Sequence, residues 1–183
     1  MKKLLSMLLV ATMVFSLTAC GEKNDVEQDS AVDVLTKVWE TYDEDEKFEA
    51  VGGGPEDMVE GVPGAFDADA AESLDTVLGY PQTSVALLED AASLVHMMHA
   101  NTFTAGAYKL ADAAEVEMLV SDLEDNIMSR HWLDGCPDTL IIVQIGEHTV
   151  VSVFGNADAV ETFKTKLLTV YEEAEIKCEK SLI

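Results

Sequence analysis

The sequence predicts an α+β domain, and three patterns predict it. Two helical stripes, Val116-Leu119-Val120-Leu123-Ile127 and Val160-Phe163-Leu167-Tyr171, repeat apolar residues at helical spacing. Between them lie two β-rich runs, Thr139 to Ile145 and His148 to Phe154, joined by the turn Gly146-Glu147 as a hairpin. Thr102 to Leu110 has strand character ahead of the first stripe, and Glu175 to Ser181 reads as a last edge strand after the second. From Thr102 the order is therefore β-α-β-β-α-β. Two split βαβ units sharing a central hairpin make a ferredoxin-like C-terminal half. Right-handed crossovers then predict the strand order 4-1-3-2, with both helices on one face. The continuous apolar run Leu140 to Val143 needs cover on the other face too, and an N-terminal helical and loop-rich layer is the expected cover.

Each element carries its own punctuation. Ala31 to Tyr42 reads as a helix through Val34, Leu35, Val38, Trp39 and Tyr42. Charge interrupts it over Asp43 to Glu49. Phe48 to Phe66 holds Gly52-Gly53-Gly54-Pro55 and Val62-Pro63-Gly64, both turn signals. A short helix is expected from Ala70 to Leu78, ended by Gly79 and Pro81. Ser84 to Ala92 reads as a further helix, and its continuation Leu94 to His99 fits helix or strand. Asp112 stands as an N-cap with Glu115 in capping-box position before the first stripe. Gly135 and Pro137 close that unit, and Gly155-Asn156 opens the last helix. No internal repeat is apparent, and residues 31–183 are enough for one domain with a real core.

The first residues address the chain. Met1-Lys2-Lys3 is basic, Leu4 to Phe15 is almost wholly apolar, and Leu17-Thr18-Ala19-Cys20 places small residues before a cysteine. The apolar run is short for a span, which needs about 20 residues, and suits a secretory signal. This order resembles the signal peptide and lipobox of a bacterial lipoprotein. The resemblance implies a signal peptide over 1–19 and diacylglycerol on the Cys20 thiol. Two acyl chains anchor stably where one does not. The domain is then expected on the extracytoplasmic face of the cell membrane, behind a polar tether that ends at residue 30. Leu35-Thr36-Lys37-Val38-Trp39, Leu94-Val95-His96-Met97-Met98 and Val150-Val151-Ser152-Val153-Phe154-Gly155 add a second resemblance, to a family of uncharacterised lipoproteins of Gram-positive anaerobes. It covers roughly residues 31–171 and implies a setting but no catalytic residues.

Charge narrows the partners. The chain has 11 Lys and Arg against 35 Asp and Glu. Loss of the signal peptide would remove Lys2 and Lys3, leaving 9 − 35 = −26. No basic footprint for nucleic acid exists, and anionic headgroups would be repelled. Asp43-Glu44-Asp45-Glu46 could attract divalent cations, but the alternating acids, central Gly and final Glu of an EF-hand are absent.

Four constellations invite chemistry. His96-Met97-Met98-His99 has ligand types that suit copper, yet neither helix nor strand gathers all four side chains, and core packing is expected for the methionines. Cys136, with His131 or His148 as base, could suggest a nucleophile, but Asp134 and Asp138 disfavour thiolate and Gly135-Cys136-Pro137 reads as a turn. Gly52-Gly53-Gly54 lacks the Lys-Ser/Thr of a phosphate loop and is followed by Glu56 and Asp57. Trp39, Tyr42, Phe48 and Phe66 surround the Gly-rich turns, either lining a ligand groove or forming a satellite core, the second being the commoner use. The 4-1-3-2 order sets Cys136 and Cys178 at opposite sheet edges, roughly 14 Å apart, and so predicts two free thiols. These readings favour a binding or interaction module for a protein or small molecule over an enzyme, with no cofactor. Metal handling through His96 and His99 is the alternative.

Overall fold

The structure, a computed structural model, describes residues 29–133 and 135–183. The expected signal peptide, Cys20 and the expected tether up to residue 28 lie outside the described residues, as does Asp134. The N-terminal half comprises α1 (Ala31–Trp39), β1 (Ala50–Gly52), β2 (Val59–Glu60), β3 (Gly64–Phe66), α2 (Ala71–Ser73) running into a π-helical turn (Leu74–Leu78), and β4 (Leu88–His96). The C-terminal half comprises β5 (Phe103–Leu110), α3 (Val116–Met128), β6 (Thr139–Ile145), β7 (Thr149–Gly155), α4 (Ala157–Val170) and β8 (Glu175–Ser181). The eight strands form one antiparallel sheet in the order β2-β1-β4-β5-β7-β6-β8, with β3 paired to β4.

The α+β class and the β-α-β-β-α-β order from β5 onward are both present. Every residue of the two predicted stripes is buried. The strand order is different. β5-β7-β6 reproduces the expected 1-3-2, but β8 pairs with β6 instead of β5. The cause is β4. Ser84 to Ala92 is not a helix: a 3-10 segment (Gln82–Leu87) leads into a strand that continues through Leu94 to His96. That strand takes the free edge of β5, with partners from Leu88↔Leu110 to Val95↔Thr104. Only the outer edge of β6 remains for β8. Alanine-rich β4 has helical propensity, but its small residues Ala91, Ala92 and Ser93 are wholly buried, so tertiary packing overrides it.

The changed order also separates the helices. Both crossovers now step across the sheet in the same direction, but β5 and β7 run oppositely. Two crossovers of one hand must then place α3 and α4 on opposite faces. The cores agree. One face packs Val160, Phe163 and Leu167 of α4 with Val34, Leu35 and Val38 of α1 over Ile141, Val143 and Val153. The other packs Leu119, Leu123 and Ile127 of α3 with Leu74 and Leu78 over Leu140, Ile142 and Val150. The N-terminal layer is therefore divided between the two faces.

Local chemistry fixes the ends of these elements. Ser30 and Asp33 form a reciprocal capping box on α1: Ser30 Oγ accepts from Asp33 N at 3.2 Å, and Asp33 Oδ2 accepts from Ser30 N at 3.0 Å. The chain enters through a tight knot. Asp29 takes Lys37 Nζ at 2.7 Å and the Tyr171 hydroxyl at 3.1 Å, and Ala31 N donates to Asp90 Oδ2 on β4. On the far side of α1, the glycine run is a tight turn, as expected. A Cβ on Gly52 would lie 2.2 Å from Gly64 N, and Gly53 has φ +86°.

Candidate functional site

Just beyond α1 the chain turns over the first half of α4 and leaves a groove of about 210 Å³, lined by Tyr42, Glu46, Phe48, Asp158, Ala159 and Thr162. Local hydrogen bonds carry the turn, among them Asp43 N donating to Glu46 Oε2 at 2.9 Å, Glu46 N to Asp43 O at 3.0 Å and Tyr42 N to Trp39 O at 3.2 Å. Trp39 braces it, donating Nε1–H to Gly61 O at 2.9 Å. Its ring lies 4.7 Å from Tyr42 and 5.1 Å from Phe48, and Phe48 lies 5.0 Å from Phe103 at the start of β5. From α4, Lys166 reaches over the Tyr42 ring with Nζ 4.8 Å from its centroid. Lys166 also pairs with Glu46 at 2.7 Å and donates to Thr41 O at 2.9 Å.

Tyr42 is the unusual member. It is 5% exposed, and its hydroxyl has no hydrogen-bond partner among the described residues. Burial, and after it the Glu46 carboxylate, pushes the phenol well above its usual range, so the hydroxyl stays protonated and can both donate and accept. The Lys166 hydrogen bond, followed by the Asp43 amide, holds Glu46 below the ordinary carboxylate range. The groove thus presents aromatic surface and two carboxylates, Glu46 and Asp158, while the Tyr42 hydroxyl is sealed from solvent.

Of the four aromatics expected together, three meet here. Phe66 belongs to the opposite face, where it and Gly54 border a separate cavity of about 210 Å³ with Glu56, Asp57 and Asp67. His96 adjoins the first group: its ring stacks on Phe48 at 5.4 Å and 12°, and His99 stacks beyond it at 6.4 Å. This does not make a metal site. His96 Nδ1 accepts from the backbone N–H of Met98 and His99 at 3.3 and 3.4 Å, so its free nitrogen carries the proton in the neutral ring. Stacked rings also point their nitrogens along parallel planes instead of at one ion. Among the described residues no group of three or more His, Cys, Asp or Glu is placed to hold a metal ion. The methionines correct the core-packing expectation, since Met97 is 42% and Met98 65% exposed. β4 ends at His96, so both methionines lie beyond the end of the strand.

Cys136 and Cys178 are both free, but not because they sit on opposite edges. β6 and β8 are neighbours, and the exposed Cys136 thiol donates to Leu182 O at 3.4 Å. The register pairs Cys178 with Ile142. The two cysteines are thus displaced along the strands, with Leu182 about 13 Å beyond Cys178. Burial, then Glu124, pushes the Cys178 thiol up to about 12.

Lys166, Asp158 and Thr162 escape a reading by sequence, because the groove is made by packing between segments more than a hundred residues apart. The Ser30–Asp33 cap was missed as well, although its Ser-x-x-Asp spacing ahead of an apolar run is a capping-box signal. No protein-family model matches the chain, and no curated protein or solved structure is significantly similar to it. Among the described residues, no helix is long and apolar enough to cross a membrane.

Proposed function

We propose that this protein is a lipoprotein held on the extracytoplasmic membrane face through Cys20, and that its domain is a binding module whose site is the groove between Tyr42–Phe48 and α4. One observation carries the site: the buried, unpartnered Tyr42 hydroxyl. Leaving such a group unsatisfied costs about 1–3 kcal/mol, and phenylalanine would fill the same space without that cost. The hydroxyl is sealed in the structure, so a ligand that displaces the Tyr42–Phe48 turn and hydrogen-bonds it recovers the energy. The Cys20 assignment rests on the order of charge, apolar run, small residues and cysteine.

Two experiments test the reading. In a fragment screen followed by NMR, binders are expected to shift the backbone signals of Tyr42, Phe48, Ala159 and Thr162, and Tyr42→Phe is expected to weaken them while the fold persists. Binders that only ever shift signals elsewhere would refute the groove. For the anchor, Cys20→Ser is expected to abolish incorporation of labelled fatty acid; incorporation equal to the parent protein's refutes it.

A further inference from the structure

We propose that the end of β4 carries an acid-sensitive latch: neutral His96 holds the turn that follows it, and protonated His96 lets that turn go. The latch is independent of the groove and of any ligand there. His96 closes β4 opposite Ala50, and the chain then reverses over Met97 to His99 into a 3-10 turn (Ala100–Thr102) and β5. Across that reversal His96 Nδ1 accepts from two backbone N–H groups, Met98 at 3.3 Å and His99 at 3.4 Å. Among the described residues no backbone carbonyl takes either of them.

Only a neutral imidazole can do this. Its unprotonated nitrogen accepts, whereas both nitrogens of the imidazolium donate. Protonation therefore sets a third N–H against two others where a lone pair had held them. The ring itself keeps its seat: it stacks on Phe48 at 5.4 Å and 12°, and an aromatic face favours a cation. What moves is the backbone beyond the ring, and its limits are fixed on both sides. Met97 N donates to Glu49 O at 2.8 Å, and Thr102 N donates to His99 O at 2.9 Å. Asn101 Nδ2 adds a stitch to Gly135 O at 2.7 Å. Between these anchors the exposed Met98 and His99 hang their amides on the imidazole alone.

The charges around the ring give the sign. In its own turn, His99 stacks on His96 at 6.4 Å, so a second imidazolium would repel the first. From the β1 side Phe48 and Ala50 bring no charge, and Glu49 between them alternates to the other face. β5 presents the neutral Phe103 and Thr104, and α1 presents Trp39 behind Phe48. Beyond Phe48, Glu46 of the groove is paired with Lys166, and Asp158 lies on α4. Among the described residues neither His96 nor His99 makes an ion pair. The closed turn thus favours the neutral ring. It is complete at high pH and is lost as pH falls through the range of about 5–8 in which histidine changes charge.

Backbone NMR relaxation and the His96 ring signals, followed together on the full chain from pH 8 to pH 5, test the latch. At pH 8 the Met98 and His99 amides are expected to be rigid, with order parameters of about 0.85, and to drop below about 0.6 as the His96 ring titrates. Met97 and Thr102 should stay rigid throughout. His96→Phe keeps a ring on Phe48 without the acceptor, and is expected to leave the turn loose at every pH. His99→Phe removes the second charge and is expected to keep the response. Amides that are already loose at pH 8, or that stay rigid after His96 has titrated, overturn the latch. So does a His96 ring that remains neutral down to pH 5, and so does a turn in His96→Phe that is rigid or still responds to pH.

Discussion

The chain's four tyrosines divide evenly between the faces of the sheet. Under α3, Tyr80 donates to Ser84 O at 2.9 Å, and Tyr108 meets Ser152 Oγ at 3.3 Å by folding back over Gly106, where a Cβ would lie 2.1 Å from its hydroxyl. That face is further tied by Asn126, which donates to Gly79 O at 2.9 Å, and by Arg130, which donates to the carbonyls of Asp75 and Thr76. Under α1 and α4, Tyr171 is bound to Asp29, but Tyr42 has no partner. One face satisfies all its buried phenols internally. The other satisfies the phenol near the chain's entry and leaves the one beside the groove unmatched. Equal apolar burial can therefore coexist with unequal polar closure, and the unequal place is where a ligand has energy to gain.

The largest test asks whether both faces are cores. Ile142 and Val143 are adjacent, fully buried and point to opposite faces. Ile142→Asp and Val143→Asp should each cost on the order of 4 kcal/mol, because a buried unpaired charge is costly on either side. Chemical denaturation that finds only one of them severe would leave one face without a core.

The tyrosines give the next contrast. Tyr80→Phe leaves the Ser84 carbonyl unmatched and should lower stability by about 1–2 kcal/mol. Tyr42→Phe removes an orphan and should raise stability by about 1 kcal/mol or more. The opposite signs, read as shifts in denaturation midpoint at unchanged slope, are the signature of the comparison. Destabilisation by Tyr42→Phe would place a partner on its hydroxyl and erase the difference between the faces.

A smaller effect concerns alkali. Burial raises all four phenols above the usual 10.0, and raises Cys178 from 9.0 to about 12. Groups raised on folding contribute stability that is complete below the unfolded values and is lost as pH climbs through the folded ones. Midpoints should hold up to about pH 9 and fall above it. Acid gives the smallest change. Hydrogen bonds from Ser30 hold Asp33 below 3.8, so its contribution is present above that value and disappears as pH falls through the lowered one. A midpoint that rises above pH 10 would contradict the burial of these phenols.

Periodic segments were legible in the sequence. α3, α4 and the β6–β7 hairpin each write their period over seven or more residues, and their boundaries fall within a few residues of the reading. β4 was not, because Leu88 to Ala92 satisfies a helix template, and only its neighbours β5, β1 and β3 make it a strand. That single misreading moved β8 and put α3 and α4 on one face. In the groove, Tyr42 and Phe48 were visible as aromatics beside a charged break. Nothing local marks Asp158 as facing them.

The knot at Asp29 also acts as a lever. Ala31 N is held by Asp90 near the start of β4, while Phe48 stacks on His96 at its end, about 20 Å further along the strand. The chain therefore enters at one pole of the domain and the groove opens at the other. From Cys20 to Asp29 the backbone spans at most about 30 Å. A lipid on Cys20 would pull on the pole remote from the groove, like a mooring line at the stern, leaving the opening turned toward the water.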